Sequence, residues 1–441
     1  MRYRDNLTRR GFIKTGVALA GTITPFFRRA TAAEAPGPNS RITIGMIGVG
    51  RQAVQVNLQQ FFASPSAQVV AVCDVDSWRC EHARDLVDQF YSKKMGKTYT
   101  GCSMHHDFRE VLARKDIDAV MISTPDHWHI PIALAAARAG KHFSVEKPLS
   151  TAIAHGRLLC ETAKQKGVMT RTDSEFRSVP VMWKAVQCAR NGRIGALQRI
   201  HTYVPEDSKP VGNPETMPVP KELDYDFWLG PAPEKPYTEK RVHKPHDIRE
   251  RPGWLRISDY TNGMIANWGS HMNDIAQWAN NTDRSGPVSV EGTGTFSEGL
   301  WDTITGFKVQ YAYANGVTLD YEMGPEALIE LHGTEGWIKA WYPDRIEASN
   351  PAILSDAKSG EVDLSTTLSD KEDFLNAIRT GKESLEPVEV GHRTVSLCQI
   401  GLIAVQLGRK LAWDPEKERF VNDDEANARL DRPVRGDWLK G

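Results

Sequence analysis

What this 441-residue sequence lacks narrows it first. It has no excess of either charge: 55 Lys and Arg against 56 Asp and Glu leave a formal net charge of −1. There is thus no electrostatic footprint for nucleic acid or an anionic membrane. It has no apolar run long enough to span a bilayer. Cysteine is scarce, and none of the six (Cys73, Cys80, Cys102, Cys160, Cys188, Cys398) falls in a CxxC or metal-like spacing. No internal repeat or low-complexity tract stands out. The remainder is 40% hydrophobic and 25% charged, ordinary for a soluble globular protein, with enough length for two domains. Twelve Trp is a high count. Trp and Tyr line sites where sugar-like rings stack, as well as cores.

The first residues read as an address rather than as fold. "NLTRRGFIKTG" sets Arg9-Arg10 before Phe12 and Lys14, "TGVALAGTITPFF" follows, and Ala30-Thr31-Ala32 is a small-x-small cleavage pattern. We expect a twin-arginine export signal over 1–33, a linker over 34–40 and a periplasmic or otherwise exported product with no membrane span in its mature form. That route carries folded proteins and serves those that load a cofactor before export.

From Arg41 the chain alternates. "RITIGMI" is a buried-strand run, and Gly48-Val49-Gly50-Arg51-Gln52-Ala53 follows as G-x-G-x-x-A. Gly48 makes the tight turn, Gly50 lets backbone N–H groups approach a pyrophosphate, and Arg51 and Gln52 open the helix. A second strand, "QVVAVCD", ends in Asp74, 26 residues after Gly48. An acid there accepts both ribose hydroxyls of an adenosine and repels a 2′-phosphate, so NAD is expected, with Arg79 keeping NADP open. "DFREVLARKD", "DAVMIST", "PIALAAARAG", "HFSVEKP", "AIAHGRLLCETAKQKG" and "VMTRTDS" continue the helix–strand rhythm. This predicts a Rossmann-like, doubly wound parallel α/β sheet over 41–174. Ligands of such sheets lie beyond the carboxyl ends of the strands, where Thr124-Pro125 and Glu146-Lys147-Pro148 fall.

Beyond Ser174 the rhythm changes. "LQRIHTYV" reads as a strand, and "PVSVEGTGTF", "GFKVQYAY", "VTLDYEM", "ALIELHG" and "GWIKAWY" read as antiparallel strands, with Asn315-Gly316 as a hairpin turn. With helices at "MWKAVQCARNGRIG", "DKEDFLNAIRTG" and "HRTVSLCQIGLIAVQLGRKL", residues 175–441 are expected to form an α+β domain: a largely antiparallel open sheet with helices on one face. Its open sheet is the expected surface for a homo-oligomer. In "GMIANWGSHMNDIAQWA", Asn267, His271 and Asp274 share one face of a helix, a polar cluster on an otherwise apolar stretch.

The conjunction of "GVGRQA", "STPDHWH", "EKP", "NWGSHMNDIAQW" and the tail "GRKLAWDPEKERF…DDEAN" resembles the glucose–fructose oxidoreductase, inositol dehydrogenase and rhizopine-catabolism family, Gfo/Idh/MocA. The resemblance covers essentially everything after the export signal and is specific to the family, not to a substrate. It implies that Lys147 reaches both nicotinamide ribose and substrate and that His271 is the acid/base. It also implies that Asp274 contacts substrate, with Arg177 of "EFR" as a further polar candidate. The family's first Asp of D-x-G-x-H-x-x-D is Asn267 here, which can orient an imidazole but supports imidazolium less well. His129 is expected in the wall of the cofactor cleft. The pairs His127/His129 and His243/His246 lack a third ligand, so no metal is expected.

The chemistry expected is oxidation of a sugar hydroxyl: hydride to the nicotinamide, proton to the protein. Two other readings fit the same residues. One is an NAD-dependent glycosidase that oxidises transiently, eliminates the aglycone and restores the hydroxyl. The other is a catalytically weak exported sugar-binding protein.

Overall fold

The computed structural model describes residues 41–207, 209–355, 362–365, 367 and 369–440, and the expected export signal and linker lie outside them. The first sheet holds β1 (Ile42–Ile47), β2 (Ala67–Cys73), β3 (Ser103–His105), β4 (Ala119–Ile122), β5 (His142–Glu146) and β6 (Thr170–Asp173). Every neighbouring pair is parallel, and the order is β3-β2-β1-β4-β5-β6. This order reverses direction between β1 and β4, and a cleft opens there at the carboxyl ends. Helices on both faces explain why "ITIGMI" and "AVMI" are nearly all apolar and buried.

β6 departs from that rule. Its sequence is Thr-Arg-Thr-Asp, and all four residues are buried. Arg171 is fully enclosed, pairing with Asp370 at 2.7 Å and with Asp373, while Lys371 pairs with Asp173. Asp173 also accepts from Ser144 Oγ at 2.7 Å. This ionic cluster ties the helix Asp370–Thr380 to the sheet and fixes the chain where it leaves β6.

The second sheet has nine strands. They are β7 (Leu197–Pro205), β8 (Ser289–Phe296), β9 (Ile304–Ala312), β10 (Thr318–Gly324), β11 (Leu328–Gly333), β12 (Trp337–Trp341), β13 (Arg345–Ala348), β14 (Leu411–Asp414) and β15 (Arg419–Phe420). The order is β13-β12-β11-β7-β10-β9-β8-β14-β15. The expected Asn315-Gly316 turn joins β9 to β10, with Gly316 at φ 86°. The sheet is largely antiparallel, as expected, with one parallel pair, β7 beside β10, where a strand from early in the chain is inserted between β10 and β11.

The helices Pro180–Arg190, Gly269–Ala279 and Val388–Leu407 cover one face, burying Met182, Ile275, Tyr311, Leu331 and Ile400 together. The other face carries ion pairs such as Arg199–Asp320 (2.6 Å) and His201–Glu322 (2.7 Å). All six cysteines are buried, unpaired thiols. Among the described residues no helix is long and apolar enough to cross a membrane, and no group of His, Cys, Asp or Glu is placed to hold a metal ion.

Candidate active site

The glycine loop is shaped by contact rather than by propensity. Gly48 has φ 79°, and a Cβ there would lie 2.7 Å from the Ser123 carbonyl carbon and the Thr124 nitrogen. Only glycine lets β1 turn this close to the end of β4. The loop is closed by Asp74, whose Oδ2 accepts from Val49 N and whose Oδ1 accepts from Asp76 N, at 2.8 and 2.9 Å. Burial and the neighbouring Asp76 push the Asp74 carboxyl up to about 6. Each oxygen keeps a lone pair for a ribose hydroxyl.

Arg79 is buried, 3.7 Å from Asp76, and donates to the Asp247 carbonyl at 2.7 Å. Its Nη2 is committed to that carbonyl, while Nη1 lies 3.4 Å from where a Cβ on Gly50 would sit. The side chains of Arg51 and Gln52 turn away from the loop, to the Arg249 carbonyl and to Glu175 Oε1, both at 3.2 Å. What these two offer a dinucleotide is backbone N–H at a helix start.

At the other end of the cleft, His129 lies between two loops. Nδ1 faces the Pro148 carbonyl at 2.8 Å and Nε2 the Thr124 carbonyl at 2.9 Å. Burial lowers the imidazole to about 4, against the pull of both carbonyls. A neutral ring has one N–H, so His129 donates to one of these carbonyls and packs against the other, between Thr124-Pro125 and Lys147-Pro148. Glu146 is buried; Oε1 accepts from Asn57 at 2.8 Å, and Oε2 has no hydrogen-bond partner among the described residues. Burial and Asp173 raise it to about 7. Thr124 Oγ1 is also buried without a partner. An orphaned hydroxyl, a glycine cradle no Cβ could share and an acid at the end of β2 suit a nicotinamide dinucleotide.

The lysine meets the second domain at a break in a helix. Met264–Asn267 and Gly269–Ala279 are helical, and the turn between them is tight, with His271 N bonded to the Trp268 carbonyl at 3.0 Å. Gly269 permits it: a Cβ there would sit 2.6 Å from Cys398 Sγ and 2.7 Å from the Tyr321 hydroxyl. The break frees the Asn267 carbonyl, and Lys147 Nζ donates to it at 3.3 Å. Burial lowers the Lys147 pKa, with Glu146 and Asp126 opposing.

His271 is oriented by main chain. Its Nδ1 bonds the Ser174 carbonyl. A carbonyl can only accept, so Nδ1 carries the proton and Nε2 the lone pair. Burial, then the Lys147 charge, holds the ring well below the ordinary histidine value, so it is neutral at neutral pH. Phe176 stacks on it at 4.5 Å, and Tyr342 stacks on Phe176 at 4.7 Å. Trp268 meets the imidazole edge-on at 5.7 Å.

Three of the expected site residues hold partners within the protein. Asp274 and Arg177 were expected on the substrate, but they close on each other through two hydrogen bonds of 2.8 and 2.6 Å, both side chains buried. Arg177 Nη1 donates to Asp283 and to the Leu385 carbonyl. Asn267, also expected at the substrate and able to orient an imidazole, accepts at Oδ1 from Arg251 at 3.2 Å.

Sequence reasoning also missed four residues. Asp126 is buried, accepts from Thr261 at 2.7 Å and is raised to about 7 by burial. Glu175 follows β6 in the left-handed region at φ 67°, and burial among Asp370, Glu146 and Asp173 raises it to about 8. Arg251 comes from an irregular segment ahead of Met264–Asn267, and Phe176 from the turn after β6. The Asp in "STPDHWH" was the only one with a visible signal.

Family models match on both sides of this site: "Oxidoreductase family, NAD-binding Rossmann fold" over 42–174 and "Oxidoreductase family, C-terminal alpha/beta domain" over 210–440. The chain is similar to a glycosyl hydrolase family 109 protein of Shewanella putrefaciens, 29% identical over 211 residues. That match spans 44% of each chain, so the chain covers less than half the length of this relative. Its fold is similar to the WlbA dehydrogenase of Bordetella pertussis, solved with NADH and UDP-GlcNAcA, with a TM-score of 0.63 at 16% identity over 85% of this chain and 99% of that one. It is also similar to the aldose-aldose oxidoreductase of Caulobacter crescentus, complexed with glycerol, with a TM-score of 0.60 at 16% identity over 84% and 99%. Likeness at that identity speaks to fold alone, but the two family models together cover most of the described residues: the chain belongs to the Gfo/Idh/MocA oxidoreductase family, with an NAD-binding Rossmann domain.

Proposed function

We propose that this protein oxidises a hydroxyl group of a sugar or sugar derivative. The observation that carries the reading is the meeting of Lys147 with the Asn267 carbonyl one turn from a neutral His271, at the carboxyl edge of the Rossmann sheet. NAD, when bound, supplies the hydride acceptor. Lys147 is suited to bind the hydroxyl oxygen, because its charge favours a developing alkoxide. His271 takes the proton at Nε2, the nitrogen left with a lone pair. Trp268 and Tyr342 offer ring faces against which a sugar can stack. Asp74, Thr124, Pro125, Glu146 and the loop N–H groups would bind and orient the cofactor. Screening the purified protein, after cofactor release and mass spectrometry, against sugars for NADH formation tests this; no reduced cofactor with any sugar removes it.

Similarity to a glycosyl hydrolase family 109 protein favours a second reading: glycoside cleavage with no net consumption of NAD. Cleavage of aryl glycosides without NADH accumulation would select it.

Two further features belong to the proposal. Arg9-Arg10 and Ala30-Thr31-Ala32 support twin-arginine export, which cell fractionation of an Arg9→Lys, Arg10→Lys variant tests. The open outer face of the nine-stranded sheet supports a homo-oligomer, which light scattering tests.

A further inference from the structure

Residues 241–252 form a loop with a closed neck. Trp301 Nε1 donates to the Lys240 carbonyl at 2.9 Å, and a Cβ on Gly253 would lie 1.8 Å from the same oxygen. Glycine at 253 is what lets the two ends of the loop meet. Compact loops whose ends meet in this way are frequently functional. A cavity lined by Glu239, Lys240, His243, Lys244, Glu250 and Arg251 opens between the two arms, so polar side chains rather than a core face its interior.

The tip of the loop crosses the dinucleotide half of the first sheet. From the helical stretch that follows the glycine loop, Arg51 Nε donates to the Arg249 carbonyl at 3.2 Å and Gln55 Nε2 to the Ile248 carbonyl at 3.0 Å. From the helix Ser77–Met95, Arg79 Nη2 donates to the Asp247 carbonyl at 2.7 Å. His243 Nε2 meets Asp76 Oδ2 at 2.9 Å, and the His246 ring lies 5.3 Å from that of Trp78. The successive carbonyls of 247, 248 and 249 thus span the gap between the two helix starts that flank the adenosine and pyrophosphate positions of a Rossmann cleft. The same Arg79 guanidinium turns its Nη1 toward Gly50, where the pyrophosphate approaches. Ile248 rests against the core beneath, but the other attachments are single polar or ring contacts, and the Arg51 and Gln55 that make two of them are exposed.

We propose that residues 241–252 are a strap closed over the adenosine side of the NAD cleft, which must lift before the cofactor enters or leaves. The contacts that hold it are made by the protein to itself, so the strap closes before NAD arrives as well as after. Weakening them therefore speeds entry and exit alike. Loss of a contact made to the cofactor would speed exit alone. The inference rests on the NAD-binding domain and not on the sugar chemistry proposed above.

The test follows NADH fluorescence with the full-length protein in a stopped-flow instrument. Mixing NADH with cofactor-free protein gives kon, and chasing the NADH-loaded protein with excess NAD gives koff. Gln55→Ala removes the bond to the Ile248 carbonyl from an exposed position, and His243→Ala removes the contact with Asp76. Each is expected to raise kon and koff together by about 2–10-fold, the worth of one hydrogen bond, with Kd changed by less than about twofold. The double variant should roughly multiply the two increases. A thermal melt checks the fold, and Gln55→Ala decides alone should His243→Ala lower Tm. Unchanged or slower exchange in the variants overturns the proposal. So does a rise in koff alone with Kd weakened to match, which would make these residues direct contacts of the cofactor. Absence of NADH binding by the wild type overturns it as well.

Discussion

His271 donates a hydrogen bond from Nδ1 to the carbonyl of Ser174, the residue after β6, and so presents Nε2 as the proton acceptor. The ring is kept neutral by burial and by Lys147. A base whose pKa is lowered stays active as pH falls, until pH reaches the lowered value. The acid limb of kcat/KM is therefore expected below the ordinary histidine value of about 6.5. His271→Gln should remove that limb and cost about 10²–10⁴ in rate. An acid limb at or above the ordinary value would show that the imidazole is not held this way.

Asn267→Asp places a carboxylate beside Arg251, not beside His271. It should leave the pH–rate profile unchanged, because the new charge pairs with Arg251. A shift of the pH optimum would mean that residue 267 and the histidine are coupled after all.

Arg177 and Asp274 are buried and bonded in two places. Removing one member leaves the other charged and alone, at a cost of about 3–5 kcal/mol. Arg177→Ala and Asp274→Ala are expected to lower Tm markedly in thermal unfolding. Normal stability with a raised KM would return both to the substrate.

Asp74→Ser removes the acceptor for two backbone N–H groups and for a ribose. NAD should bind about 10–100-fold more weakly by titration. NADP should gain nothing, because Arg79 remains tied to Asp76 and to the Asp247 carbonyl. Tight NADP binding in this variant would show that Arg79 swings free.

Local pattern was legible in the sequence, and long-range pairing was not. The alternating apolar runs of β1, β2, β4 and β5 were legible because a strand buried on both faces must be apolar. The glycine loop and Glu146-Lys147 were legible because strand ends locate the cleft. Periodicity could place Asn267, His271 and Asp274 on one helix face, but not reveal the break at Trp268 that separates Asn267 from His271. Nor could spacing show Arg177 reaching Asp274 across 97 residues of chain. The buried charges of β6 were equally hidden, since Lys371 and Asp370 come from the far end of the sequence. Parallel pairing of β7 with β10 was illegible for the same reason.

Lys147 is where the two domains' contributions meet, through the Asn267 carbonyl at 3.3 Å. The most direct test is NADH formation on the best sugar by wild type and Lys147→Met, with NAD affinity measured for both. The account predicts near-normal NAD binding and a turnover lower by about 10²–10⁴ in the variant, with Lys147→Arg failing too because its planar head cannot replace an ammonium. Turnover within a few-fold of wild type in Lys147→Met would contradict it.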